Sequence, residues 1–173
     1  MNTTKSLNKK LQQVGLKILL LSDKEKLDKN TFGLSLNKQL NKDGYISKLI
    51  EADKLENLEE QPLDFLIINS PERIGKIHHQ LCQTISELSG VIIVTKSAKS
   101  AFLDIKRSLI FMREYRLALL GVVELDVVEK SYAIEVALKE DLPYMGPFDT
   151  KAKDATKIAT FLEKATAYST RKK

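Results

Sequence analysis

His78, His79 and Cys82 are the first residues whose spacing suggests chemistry, because all three can ligate a metal and a helix brings positions i, i+3 and i+4 together. No fourth ligand is nearby and an apolar helical face lies beside them, so the pattern reads as structural packing with a partly exposed histidine pair. Asn69 is the second candidate. It ends the run from Leu63 to Ile68, bounded by Pro62 and Pro71, and in nucleotide-binding α/β proteins the residue ending such a strand faces the phosphate side of the sheet. A magnesium site would want a carboxylate there, whereas asparagine is an uncharged acceptor; capping the turn before a proline is its commoner role. Lys96, Lys99, Lys106 and Arg107 could meet phosphate or nucleic acid beyond a strand end. They lack aromatic interleaving, however, and a charged face on a surface helix is the ordinary case. Tyr144 and Phe148 read as packing residues rather than as a base-stacking pair.

These residues must be positioned by an alternating pattern of buried strands and amphipathic helices. The run at 63–68 is too short for a buried helix and continuously apolar, as expected of a strand covered on both faces of a parallel sheet. Ahead of it, Leu7, Leu11 and Val14 have helical spacing, Gly15 stands where that helix would stop, and Ile18 to Leu21 form a strand. Behind it, Ile74, Ile77, Leu81, Ile85 and Leu88 share a helical face with Gly90 just past the end, and Val91 to Val94 form the next strand. A helix through Ala98, Ala101, Phe102, Ile105, Leu109 and Met112 leads to a strand at 118–123. A shorter helix at 130–139, a short strand at 142–145 and a closing helix through Ala155, Ile158, Leu162 and Ala165 complete the chain. The fold expected is α/β, a mostly parallel sheet of about five strands with helices on both faces. Residues 23–61 are rich in Lys, Asp, Glu and Asn, and read as a variable charged excursion carrying one or two surface helices; 169–173 is a basic tail.

The 173 residues, 43% hydrophobic, suit one domain, 1–173, with a sizeable core. Lys and Arg number 28 against 23 Asp and Glu, for a net charge of +5, but the charges are interspersed rather than striped. One cysteine excludes an internal disulfide and a four-cysteine metal site within the chain. No apolar run approaches the ~20 residues of a membrane span and the first residues lack the apolar block of a signal peptide, so a cytoplasmic protein is expected.

Several segments, in order, resemble the Mrp/ApbC branch of the MinD/ParA group of deviant P-loop ATPases, whose Mrp members are ATP-dependent iron–sulfur cluster carriers. LDFLIINSPE resembles an apolar strand followed by the family's Asp-Thr-Pro-Pro-Gly. GVIIVTKSAKSAFLDIKRSLIFM resembles a strand and helix with an Ala-(apolar)2-Asp-(apolar)-basic pattern, here Ala101 to Lys106. LLGVVEL resembles Leu-Gly-Val-Val-Glu-Asn, and LPYMGPFD resembles a Pro-Phe-Leu-Gly segment before the last helix. The resemblance runs through residues 4–28 and 62–165.

The departures fall on the positions that carry the family's chemistry. Counted back from Gly15, the Walker serine falls at Met1 and the lysine before it, so the glycine-rich phosphate cradle and the strand leading into it are expected to be missing. The family's Asp-X-Asp falls on Ser22 and Lys24, or with a one-residue slip on Asp23 and Glu25. Within DKEKLDK those two carboxylates are ordinarily solvated. Asn69 replaces the magnesium-linked Asp, Glu72 and Arg73 replace the second Pro and the Gly, Leu125 replaces the adenine-contacting Asn, and no Cys-X-X-Cys lies between Asp126 and Asp141. The vestigial nucleotide site would be Asp23, Glu25 and Asn69, with no catalytic or metal residue.

With the cradle's strand missing, residues 66–68 would pair directly with residues 91–94, since otherwise a buried strand edge stays unpaired. The resemblance then implies a non-catalytic interaction or scaffold subunit, nucleotide binding lost or weak, without cofactor. Its partner would be a second copy or an active Mrp/MinD-type relative, because the relatives work as dimers. One alternative is an N-terminally truncated ATP-binding cluster carrier, for which ATP and Mg would apply. The other is weak nucleic-acid association through the basic helix and tail, which is not expected of a surface without a basic stripe.

Overall fold

The computed structural model describes the backbone of residues 2–24 and 26–171 and the side chains of residues 4–24 and 26–166. Glu25 lies outside the described residues, as do the side chains of the 169–173 tail.

Helix α1 (Asn2–Leu11) leads into β1 (Val14–Leu21), α2 (Lys29–Lys42), β2 (Ser47–Glu51) and a 3₁₀ turn at Ala52–Asn57. Then follow β3 (Leu63–Asn69), α3 (Lys76–Thr84), β4 (Gly90–Lys96), α4 (Ala101–Glu114), β5 (Leu119–Leu125), α5 (Tyr132–Glu140), β6 (Tyr144–Phe148) and α6 (Thr156–Arg171). Six strands, one more than expected, form a single sheet in the order β2-β3-β1-β4-β5-β6, every pair parallel. Alternate residues of the strands feed two apolar layers. Leu19, Leu21, Leu66 and Ile68 meet α1, α3, α4 and α5 through Leu11, Leu81, Ile105 and Val136. Ile18, Leu20, Phe65 and Ile67 meet α2 and α6 through Phe32, Leu36, Leu40, Ile158 and Leu162. Ile18, Leu19, Leu20 and Leu21 are 0% exposed, each such burial stabilising the fold by about 1.5–3 kcal/mol.

Four expectations are corrected. Residues 66–68 do not close on residues 91–94. β1 lies between them, pairing Ile18 with Ile67 of β3 and with Gly90 of β4, so the central strand comes from within the chain. Gly15 does not stop a helix; it is the second residue of β1, and a Cβ there would come within 2.9 Å of the Asp64 carbonyl oxygen, a close approach that only glycine permits. The segment 23–61 is integral to the fold: it supplies α2, whose Phe32, Leu36 and Leu40 are buried, and the edge strand β2. Helix α3 is also shorter than its apolar period suggested, ending at Thr84, whose carbonyl accepts the Asn8 side-chain amide at 3.1 Å; Gly90 opens β4.

Candidate functional site

Consecutive parallel strands deliver their connecting loops to one edge of the sheet, and ligands of such folds bind where neighbouring loops depart in opposite directions. Here that point lies between β1 and β4. After β1 the chain turns toward β2 through residues 22–28 and α2; after β4 it turns the other way through residues 97–100 and α4. Lys24 spans the crevice, its ammonium donating to Ser100 Oγ at 2.5 Å.

β1, residues 22–28 and α2 together form the strand–loop–helix of a phosphate-binding loop, and Lys29 opens the helix as the lysine of G-x-x-x-x-G-K-[ST] does. The spacing is kept, but both glycines are aspartate, Asp23 and Asp28, and Asn30 replaces the hydroxyl residue. Lys29 is 2% exposed. Its ammonium donates to the Ser70 carbonyl, and lies 3.4 Å from Ser70 Oγ, which itself donates to the Leu20 carbonyl at 2.6 Å. Burial pushes its pKa down to about 8, against the attraction of Glu51 and Glu72. Backbone donors of the loop are taken as well. Glu72 accepts the Lys26 N–H at 2.6 Å and the Leu27 N–H at 3.2 Å, and Asp28 caps α2 by accepting the Thr31 N–H at 3.1 Å.

Asp23, in the loop, and Asn69, at the end of β3, both expected at the vestigial site, share no hydrogen-bond partner. Asp23 accepts the Ile74 N–H at 3.1 Å and faces Arg107 Nη1 at 3.4 Å, tying the β3–α3 connection to α4. Asn69, 7% exposed, donates from Nδ2 to both Glu51 carboxylate oxygens at 3.1 Å, while its Oδ1 is buried without a hydrogen-bond partner. Because β1 is the central strand, the carboxylate ending the second strand is Glu51, with Asp53 two residues on in the 3₁₀ turn, whereas Asp23 follows the first strand. Sequence reasoning also missed Lys29, whose signal, the spacing from Asp23 to Asn30, is hidden by the lost glycines.

His78 is buried rather than partly exposed, and its ring clamps the turn after β3. Nδ1 accepts the Gly75 N–H at 3.1 Å and Nε2 lies 3.1 Å from the Pro71 carbonyl, which assigns the proton to Nε2. Burial first, then Lys29, push its pKa down to about 4. His79 Nδ1 is 2.6 Å from the Tyr115 hydroxyl. Burial and Glu114 raise the Cys82 thiol to about 11, opposing thiolate ligation. Among the described residues no group of three His, Cys, Asp or Glu could hold a metal ion. Lys106 and Arg107 each face a carboxylate, Glu140 and Asp23, at 3.4 Å. Tyr144 donates to Glu124 at 3.2 Å and the Phe148 ring packs edge-on against Phe32, centroids 5.3 Å apart.

A six-stranded parallel sheet covered on both faces, with a P-loop-spaced lysine opening the helix after its central strand, defines the class as an α/β domain of the P-loop NTPase type. The model of the ParA family described as NUBPL iron-transfer P-loop NTPase matches residues 42–130, just over half of the chain, and the chain belongs to that family. The iron-sulfur cluster carrier protein of Methanocaldococcus jannaschii is 25% identical over 109 residues, covering 54% of this chain and 38% of that protein. That of Rickettsia prowazekii is 37% identical over 81 residues, covering 47% of this chain and 25% of that protein. The match thus spans well under half the length of these curated relatives. Among solved structures, a nucleotide-binding protein of Archaeoglobus fulgidus in complex with ADP aligns with TM-score 0.68 at 15% identity, over 91% of this chain and 93% of that one. The MinD cell division protein of Aquifex aeolicus aligns with TM-score 0.66 at 14% identity, over 88% of this chain and 97% of that one. These two likenesses concern the fold.

The family implies ATP and magnesium, and the residues here do not fit them. No glycine lies between Gly15 and Gly33, Lys29 is spent on a backbone carbonyl, the Lys26 and Leu27 amides are spent on a carboxylate, and Asn69 stands where a metal would want a charge.

Proposed function

We propose that this chain serves iron–sulfur cluster carriage, the process its curated relatives are named for, as a non-hydrolysing subunit that pairs with a second copy or with an ATP-binding relative of the same fold. The relatives' names support the process. One observation carries the mode: Lys29, the residue spaced to meet a phosphate, is buried with its ammonium on the Ser70 carbonyl. A lysine so placed contributes to packing the loop against β3 and is withdrawn from any ligand outside. The fold itself is kept, with both apolar layers intact, as a binding partner requires.

The test is to mix the chain with the iron-sulfur cluster carrier of its own cell and measure sedimentation and ATP hydrolysis together. A stable complex, with no hydrolysis by this chain alone, is the expected result. A chain that stays monomeric in the mixture would contradict the pairing. A second reading, an ATP-binding cluster carrier in its own right, draws on the relatives' names and on the P-loop spacing that ends at Lys29. ATP turnover by the isolated chain that disappears in Lys29→Ala would put that reading first.

A further inference from the structure

A phosphate-binding loop works by pointing successive backbone N–H groups at an anion. In this chain two such groups, Lys26 N–H and Leu27 N–H, converge on one carboxylate, that of Glu72, at 2.6 and 3.2 Å, one oxygen to each. Glu72 comes from the neighbouring connection, between β3 and α3, 45 and 46 residues along the chain.

We propose that Glu72 is a built-in anion: its carboxylate fills the position that residues 22–28 would otherwise offer to a phosphate, and so latches the loop to the turn after β3. This deepens the reading of the chain as non-hydrolysing, on which it rests.

Three features of the surroundings place the carboxylate there. Lys26 has φ 55° and Arg73 has φ 58°, left-handed conformations that side chains adopt at a cost, one on each side of the contact. The His78 ring fixes the connection that carries Glu72 by bonding both the Pro71 carbonyl and the Gly75 N–H. Asp23, accepting the Ile74 N–H, ties the same connection to the start of the loop. The buried cation Lys29 is attracted by Glu72 but bonded elsewhere, so the carboxylate supplies the local negative charge a phosphate would bring. Glu72 is exposed, so the latch is held by hydrogen bonds and fixed backbone rather than by burial.

The test is amide hydrogen exchange by NMR on the full chain, with no nucleotide present, in wild type, Glu72→Gln and Glu72→Ala. In Glu72→Ala the Lys26 and Leu27 amides are expected to exchange at least about tenfold faster, corresponding to loss of a charge-assisted hydrogen bond, while the Thr31 amide, held by Asp28, is unchanged. Glu72→Gln, which keeps the shape and loses the charge, is expected to fall between. Unchanged exchange at Lys26 and Leu27 in both variants overturns the latch. Inorganic pyrophosphate is then added: it is expected to shift these two amide signals in Glu72→Ala and not in wild type. Equal shifts in the two proteins, or none in Glu72→Ala, overturn the assignment of this position to an anion. The exchange readout needs no partner and no ATP, so a failed partner assay leaves it standing.

Discussion

Glu124 and Glu72 each accept two successive backbone N–H groups, and they do so in opposite environments. Glu124, the penultimate residue of β5, is 0% exposed and takes the Tyr132 N–H at 3.0 Å, the Ala133 N–H at 3.1 Å, the Ser131 hydroxyl at 2.5 Å and the Tyr144 hydroxyl at 3.2 Å. It therefore fixes α5 and β6 to the sheet, in the manner of a buried charge whose every partner is supplied by the fold. Glu72 is exposed and takes two loop amides. The same chemistry is a structural rivet where water is excluded, and an exchangeable latch where it is not.

The contrast can be broken at either end. Glu124→Ala strips four donors of their shared acceptor and is expected to destabilise the protein by about 3 kcal/mol or more; Glu72→Ala, losing two hydrogen bonds of an exposed carboxylate, is expected to cost about 1.5 kcal/mol. Denaturant unfolding of the two variants compares them directly, and equal losses would erase the distinction.

The groups behind the latch give pH arms of intermediate size. His78 has a folded pKa of about 4 against 6.5 when free, so between these values the unfolded chain binds the extra proton. Stability should fall as pH drops from 6.5 to 4, by roughly 3 kcal/mol in total. Unfolding midpoints across that range, with the His78 ring followed by NMR, check it; an imidazole that protonates near 6.5 in the folded state would contradict it. Lys29 gives the alkaline arm. Its folded pKa of about 8 lies below the ordinary 10.5, so the unfolded chain again holds more protons and stability should rise from pH 8 to 10.5. Lys29→Met should flatten that rise while remaining folded at pH 7. The smallest effect concerns Lys26, at φ 55°: Lys26→Gly keeps the N–H that Glu72 accepts and removes the left-handed cost, for an expected gain of about 0.5–1 kcal/mol in thermal unfolding.

The strands at 63–69 and 90–96 are legible in the sequence because a short, continuous apolar run between turn residues fits a strand buried on both faces and little else. Residues 22–61 are not. Phe32, Leu36 and Leu40 give α2 a buried face, but three positions among lysines and asparagines make a thin stripe, and α2 passes close to the sheet at Gly33, where a Cβ would meet Leu20 Cδ1 at 3.1 Å. Strand β2 is a half-buried edge strand without a clean alternation. Reading Gly15 as a helix stop makes the central strand count as the second one, and that places the family's acidic pair at Ser22 and Lys24 or at Asp23 and Glu25, whereas the second strand ends at Glu51 with Asp53 in the turn after it. The latch is invisible for a different reason: it joins residues 45 and 46 positions apart through backbone amides, which carry no sequence signature.

Calorimetric titration of the wild-type chain with Mg-ATP tests the central claim most directly, since it asks whether the loop after β1 is open to phosphate. No binding heat is expected up to about 1 mM nucleotide. A micromolar affinity that Lys29→Ala abolishes would contradict the claim and return this loop to the work of a phosphate cradle.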